Sequence, residues 1–92
     1  MAKVLVVAKV FPSGVDIDFD SLVDDIRKKL PEGYDIAKTA EEPIAYGYKA
    51  LKLYVVIPEE TEGGTDTLEK ILKKHELIDE VEIEAVHRLS EF

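Results

Sequence analysis

The sequence has no cysteine, no tryptophan, no asparagine and no glutamine, and a single methionine in 92 residues. Without cysteine there is neither a disulfide framework nor thiolate chemistry. Two histidines, His75 and His87, do not make a zinc site without a third ligand at a recognisable spacing. No apolar run approaches the ~20 residues needed to cross a bilayer. The opening Met1-Ala2-Lys3-Val4-Leu5-Val6-Val7 is basic and then apolar, but it lacks the longer apolar region and small-residue cleavage site of a signal peptide, so the chain reads as cytoplasmic and unprocessed. Positive charge is also scarce. Twelve Lys and Arg against 20 Asp and Glu give a net charge of −8, which repels phosphate backbones and argues against nucleic-acid binding. Such a surface serves solubility first and also suits encounter with a basic partner. Depletion of thermolabile side chains beside 35% charged residues is the composition of hyperthermophile proteins.

What is present fits a single domain over residues 1–92, with 46% hydrophobic residues and room for about one sheet and one helical layer. Lys3 to Phe11 is a Val-rich strand, apolar on both faces and therefore central in a sheet. Pro12-Ser13-Gly14 ends it. Asp16 or Asp18 caps a helix whose inner face is Phe19, Leu22, Val23, Ile26 and Leu30. Pro31-Glu32-Gly33 stops that helix. Tyr34 to about Ala40 is a weaker, more polar strand, expected at an edge. Lys49 to Ile57 is a strong strand with Leu51, Leu53, Val55 and Ile57 on one face and Ala50, Lys52, Tyr54 and Val56 on the other, partly wet face. An acidic loop from Pro58 to Gly64 precedes a shorter helix. Asp66 and Glu69 have the spacing of a capping box, and Leu68, Ile71, Leu72 and His75 form the inner face. The last strand, about Glu80 to Leu89, alternates Val81, Ile83, Ala85, His87 and Leu89 with Glu82, Glu84, Val86 and Arg88. The order is βαββαβ, which predicts the ferredoxin-like α+β plan: a four-stranded antiparallel sheet with both helices on one face.

Few constellations carry chemistry. Asp16-Ile17-Asp18-Phe19-Asp20 begins like a calcium loop, but Ser21 and Arg27 stand where the loop needs Gly and Glu. Gly63-Gly64-Thr65 before a helix lacks the P-loop lysine, and Glu59, Glu60 and Glu62 would repel a phosphate. No residues require an enzyme, a metal or a cofactor. A ferredoxin-like module binding a small ligand or RNA on its open sheet face is the alternative class. The −8 charge counts against the RNA version.

Two segments stand out. Glu42-Pro43-Ile44-Ala45-Tyr46-Gly47-Tyr48-Lys49-Ala50-Leu51 places a proline, a glycine and two tyrosines just before the strong strand. By residue type alone, burial of apolar groups favours a turn folded back on its own core; a recognition tip is the other reading. In Ala85-Val86-His87-Arg88-Leu89, Arg88 is one of two arginines and ends the last strand, where a surface cation beside Glu82 or Glu84 is the simple reading.

These segments resemble the elongation factor 1-beta family, the guanine nucleotide exchange factors of elongation factor 1-alpha. Residues 42–51 are similar to that family's Pro-Ile-Gly/Ala-Phe-Gly-x-Lys-x-Leu segment. Lys3 to Pro12, Leu30-Pro31-Glu32-Gly33, Pro58-Glu59-Glu60 with Gly63-Gly64-Thr65, and Val86-His87-Arg88-Leu89 look like archaeal members. The resemblance spans nearly the whole chain and implies a non-enzymatic exchange domain whose partner is the GTPase in its GDP-bound and nucleotide-free forms. It carries Tyr46, Gly47, Lys49, His87, Arg88 and Leu89 over as partner-binding residues. Tyr46 takes the position of the family's loop Phe. Arg88 takes that of the basic residue approaching the GTPase's magnesium and phosphates. Eukaryotic members have Lys at that place, and this chain continues to Ser90-Glu91-Phe92. The resemblance turns the reading of residues 42–51 to a tip, with Tyr46 facing the partner and Leu51 anchoring it in the core.

Overall fold

The computed structural model describes residues 3–58 and 65–89. Six elements follow in the order β1 (Lys3–Pro12), α1 (Phe19–Lys29), β2 (Asp35–Ala45), β3 (Tyr48–Pro58), α2 (Asp66–Lys73) and β4 (Ile78–Leu89). The strands form one antiparallel sheet in the order β2-β3-β1-β4. The two most apolar strands thus occupy the centre, as a strand with two apolar faces must.

One face of the sheet carries the helices. Val6, Ala8 and Val10 of β1 and Leu51, Leu53, Val55 and Ile57 of β3 are buried with Leu22 and Ile26 of α1 and Leu68 and Leu72 of α2 in one cluster. Each helix contributes only one stripe, as its three-and-four spacing dictates. Asp18 caps α1, its carboxylate accepting from the Asp20 N–H at 3.1 Å and from the Ser21 hydroxyl at 3.1 Å. Arg27, Lys28 and Lys29 occupy the last turn, where the helix dipole favours cations. Gly33, at φ +91°, makes the turn into β2; a Cβ there would meet the Pro58 ring at 3.0 Å.

The expected capping box of the second helix does not form. Thr65 is the N-cap, in helical conformation and without a side-chain cap bond, and Asp66 is the first helical residue. Asp66 and Glu69 instead lie in the first turn, where the helix dipole favours negative charge. At its far end His75 is buried, as the helical spacing predicts. Its Nδ1 accepts from the Leu77 N–H at 3.1 Å, which places the ring proton on Nε2, 3.4 Å from an Asp25 carboxylate oxygen of α1.

The alternation expected for β4 also fails halfway along. Ala8 pairs with Ile83 but Val7 pairs with Ala85, so Glu84 is an extra residue. A bulge reverses the faces beyond it. Val86 and Arg88 therefore lie opposite Val6 and Val4 on the helix side, and Ala85 and His87 lie opposite Val7 and Leu5 on the open side. An unbroken period of two would instead place Ala85, His87 and Leu89 on the face of Val81 and Ile83.

The open face is braced by two ion pairs that cross intervening strands. Lys9 of β1 reaches over β3 to Glu42 of β2, 2.5 Å away, and Lys52 of β3 reaches over β1 to Glu84 of β4, 3.3 Å away. Glu42 holds Lys9 above its ordinary lysine value, and Lys9 holds the Glu42 carboxyl below its ordinary value. Glu84 likewise raises Lys52.

Candidate partner-binding site

The segment 42–51 is not a loop. Strand β2 continues through Glu42, Pro43, Ile44 and Ala45, and Ala45 pairs directly with Tyr48. Only Tyr46 and Gly47 make the turn, at φ +52° and +78°. A two-residue hairpin with positive φ at both positions has the type I′ signature, whose twist matches the flanking strands. Pro43 is compatible because β2 is an edge strand and bonds to a neighbour on one side alone.

Two irregularities push apolar side chains outward here. The register slips between Pro43 and Ala45, so Ile44 is an extra, bulged residue, and it is 45% exposed. Tyr46 is 102% exposed, its ring entirely in solvent. The two tyrosines therefore separate. Tyr48 lies back along the hairpin, half-buried, and its hydroxyl donates to the Pro12 carbonyl at the end of β1. Burial, with a smaller contribution from Asp79, raises its ionisation above the ordinary tyrosine value. Leu51, Leu53, Val55 and Ile57 root the hairpin in the core, as the alternation predicts.

On the helix side of the hairpin, Lys49 pairs with Glu41 at 3.3 Å. Beside them opens a cleft of about 280 Å³ between the hairpin and the segment joining β1 to α1. Gly14, Val15, Ile17, Asp18 and Phe19 form one wall, and Glu41, Gly47 and Lys49 the other. Val15 is 62% exposed. Sequence reasoning did not single out the first wall for binding. The available signal was a branched apolar residue, Val15, set among turn residues in Ser13-Gly14-Val15-Asp16.

His87, Arg88 and Leu89 stand elsewhere. Arg88 pairs with Val4 and Leu89 with Lys3, at the start of β1, whereas Tyr48 touches its end at Pro12. The ten residues of β1 separate these places by roughly 30 Å at ~3.3 Å per residue. The fold thus brings Tyr46, Gly47 and Lys49 together at one end and His87, Arg88 and Leu89 together at the other. His87 and Arg88 are exposed on opposite faces of β4. Ser90-Glu91-Phe92 and the Gly63-Gly64 pair lie outside the described residues. Among the described residues no cluster of His, Asp and Glu suits a metal ion, and no helix is long and apolar enough to cross a membrane.

Residues 5–89 match the EF-1 guanine nucleotide exchange domain family. The elongation factor 1-beta of Hyperthermus butylicus is 55% identical over 92 residues, covering 100% of both chains. That of Ignicoccus hospitalis is 53% identical over 90 residues, covering 98% of this chain and 96% of its own. That of Staphylothermus marinus is 54% identical over 90 residues, covering 98% of this chain and 100% of its own. The match takes in both the hairpin, with its bulged Ile44 and exposed Tyr46, and the end of β4, and the chain belongs to the family of EF-1 guanine nucleotide exchange domains.

Proposed function

We propose a two-ended mechanism for the exchange of GDP for GTP that this chain promotes on elongation factor 1-alpha. Residues 1–92 act as one exchange domain in the cytoplasm, and no bond of substrate or nucleotide is made or broken by the chain itself. The hairpin end holds the GTPase through Tyr46, Gly47 and Lys49. The opposite end, with His87, Arg88 and Leu89, acts near the nucleotide. A magnesium ion held with the nucleotide on the GTPase would offset the phosphate charge, so that weakening its binding would weaken that of GDP. A guanidinium within 4 Å of that divalent ion would oppose it by about 8 kcal/mol at an effective dielectric of 20, twice the value for two unit charges. Only part of this is needed, because ~1.4 kcal/mol already changes affinity tenfold. Exchange is then a linkage: the factor binds the nucleotide-free GTPase best, and nucleotide weakens the factor in return.

The observation that carries this reading is Tyr46. A fully exposed aromatic ring on a residue at φ +52° gains nothing from the fold that holds it. Left-handed conformation disfavours a residue with a Cβ, and such strain collects at functional sites. A partner pocket that takes the ring gives the position a purpose. The test is release of a fluorescent GDP from an archaeal elongation factor 1-alpha. Catalytic amounts of this chain should accelerate it; an unchanged rate would refute the reading.

A further inference from the structure

We propose that the cleft beside the hairpin receives a cationic side chain, lysine or arginine, from the GTPase, so that the hairpin end both inserts into its partner and is inserted into. This rests on the exchange reading above and adds a second contact at the same end.

The chemistry of the cleft selects that occupant. Val15, Ile17 and Phe19 offer an apolar wall suited to the methylene stem of a long side chain. Asp18 and Glu41 set two carboxylates on the lining against the single ammonium of Lys49, leaving one negative charge. Each Asp18 oxygen accepts one hydrogen bond, from the Asp20 N–H and the Ser21 hydroxyl, within the helix cap, and a carboxylate oxygen has capacity for a second. Asp16 and Asp20 add negative charge next to Asp18 in the chain. An apolar stem with a cationic head matches this combination. A neutral apolar side chain would leave that one charge uncompensated, and an anion would be repelled.

Position supports the same occupant. The cleft adjoins Gly47 of the turn, and the exposed Val15 and Ile44 lie with the exposed Tyr46 at this end of the molecule. One docking event on the tip therefore covers the cleft as well. The net charge of −8 draws such a partner surface in from a distance.

Val15 is the residue to change, because it lines the cleft while 62% exposed, so folding tolerates its replacement. Binding of the full chain to nucleotide-free elongation factor 1-alpha would be measured by calorimetry for the wild type, Val15→Lys and Val15→Glu, at low and moderate salt. Val15→Lys should weaken binding about tenfold or more, most at low salt, and Val15→Glu should bind as well as the wild type or better. Circular dichroism should give all three the same melting temperature. Equal binding by all three, or equal losses in both variants, overturns the cationic occupant while leaving the exchange reading intact. A wild type that neither binds nor accelerates GDP release overturns both.

Discussion

Replacing Tyr46 with Asn should make the protein more stable and less active. The residue sits at φ +52° with its side chain wholly in solvent. The substitution therefore removes no buried apolar area and acts on the backbone alone. A residue with an ordinary Cβ gives up roughly 1–2 kcal/mol in left-handed conformation. Asn tolerates that region through hydrogen bonding of its short side chain to nearby backbone, and Asn-Gly is the preferred pair for this turn. Most of the strain, about 1 kcal/mol, should be recovered. Glycine would relieve the same strain but loosens the unfolded chain, which takes back about 0.5–1 kcal/mol, so Asn gives the larger gain. One kcal/mol raises the melting temperature of a domain this size by roughly 4–8 °C. In guanidinium, with a slope of about 2–4 kcal/mol/M, the midpoint should rise by ~0.3–0.5 M. Exchange should move the other way. A buried aromatic anchor is typically worth 2 kcal/mol or more at an interface, so affinity for the GTPase should fall by about thirtyfold. Guanidinium melts and GDP-release rates on the same preparation test both halves. A less stable variant would refute the account of the turn, and an unimpaired one would refute the role of the ring.

Arg88→Ala should slow GDP release by about tenfold while changing affinity for the GTPase much less; equal effects on rate and affinity would contradict a separate role for that end. Leu53→Ala, at the buried centre of β3, should cost about 2–5 kcal/mol, read as a fall in the denaturation midpoint. His75→Ala should destabilise by about 1–3 kcal/mol, because the buried ring is lost and the part-buried Leu77 N–H loses its acceptor, whereas Asp25→Asn, which retains an acceptor for Nε2–H, should cost less. Glu42→Gln probes the crossing pair: the folded-state pKa of Glu42 is depressed by Lys9, so its contribution is present at neutral pH and fades as pH falls through that depressed value. The melting temperatures of wild type and variant should thus differ near pH 7 and converge well below pH 4; a gap that persists in acid would exclude the linkage.

The parts of the fold that could be read from the chain are those where each residue's own chemistry decides. Val4 to Val10 and Leu51 to Ile57 are apolar on the positions a central strand needs, and both strands lie at the centre. Asp18 caps α1 because its carboxylate reaches the first free N–H groups, a strictly local matter. What could not be read depends on pairing. Glu41, Glu42 and Pro43 look like a loop because nothing in them demands burial. They are strand because β3 supplies partners on one side and an edge strand asks for no more. The bulge at Glu84 has no marker such as Gly or Pro. It is fixed by where β4 must meet β1, and it alone decides which face bears His87 and which bears Arg88. The two tyrosines were separable only once the turn was known to have two residues: Tyr46 in it, Tyr48 paired outside it.

Those irregularities bear on the proposed two-ended mechanism, which requires the two ends to keep a fixed separation. A tip that could swing relative to the end of β4 would hold the GTPase without directing Arg88. The central strands supply the first constraint, since β1 joins both places through its own ladder, pairing with β3 up to Leu51 and with β4 down to Leu89. The crossing pairs supply a second. Lys9–Glu42 ties the hairpin's edge strand to β1, and Lys52–Glu84 ties the hairpin's central strand to β4 at its bulge. Each pair spans a strand it does not belong to, so sliding any one strand stretches an ion pair as well as breaking ladder bonds. Glu84, displaced by the bulge that turns Arg88 toward the helix side, is the residue that closes the second pair. The same local irregularity thus orients the far end and fastens it to the strand that carries the tip.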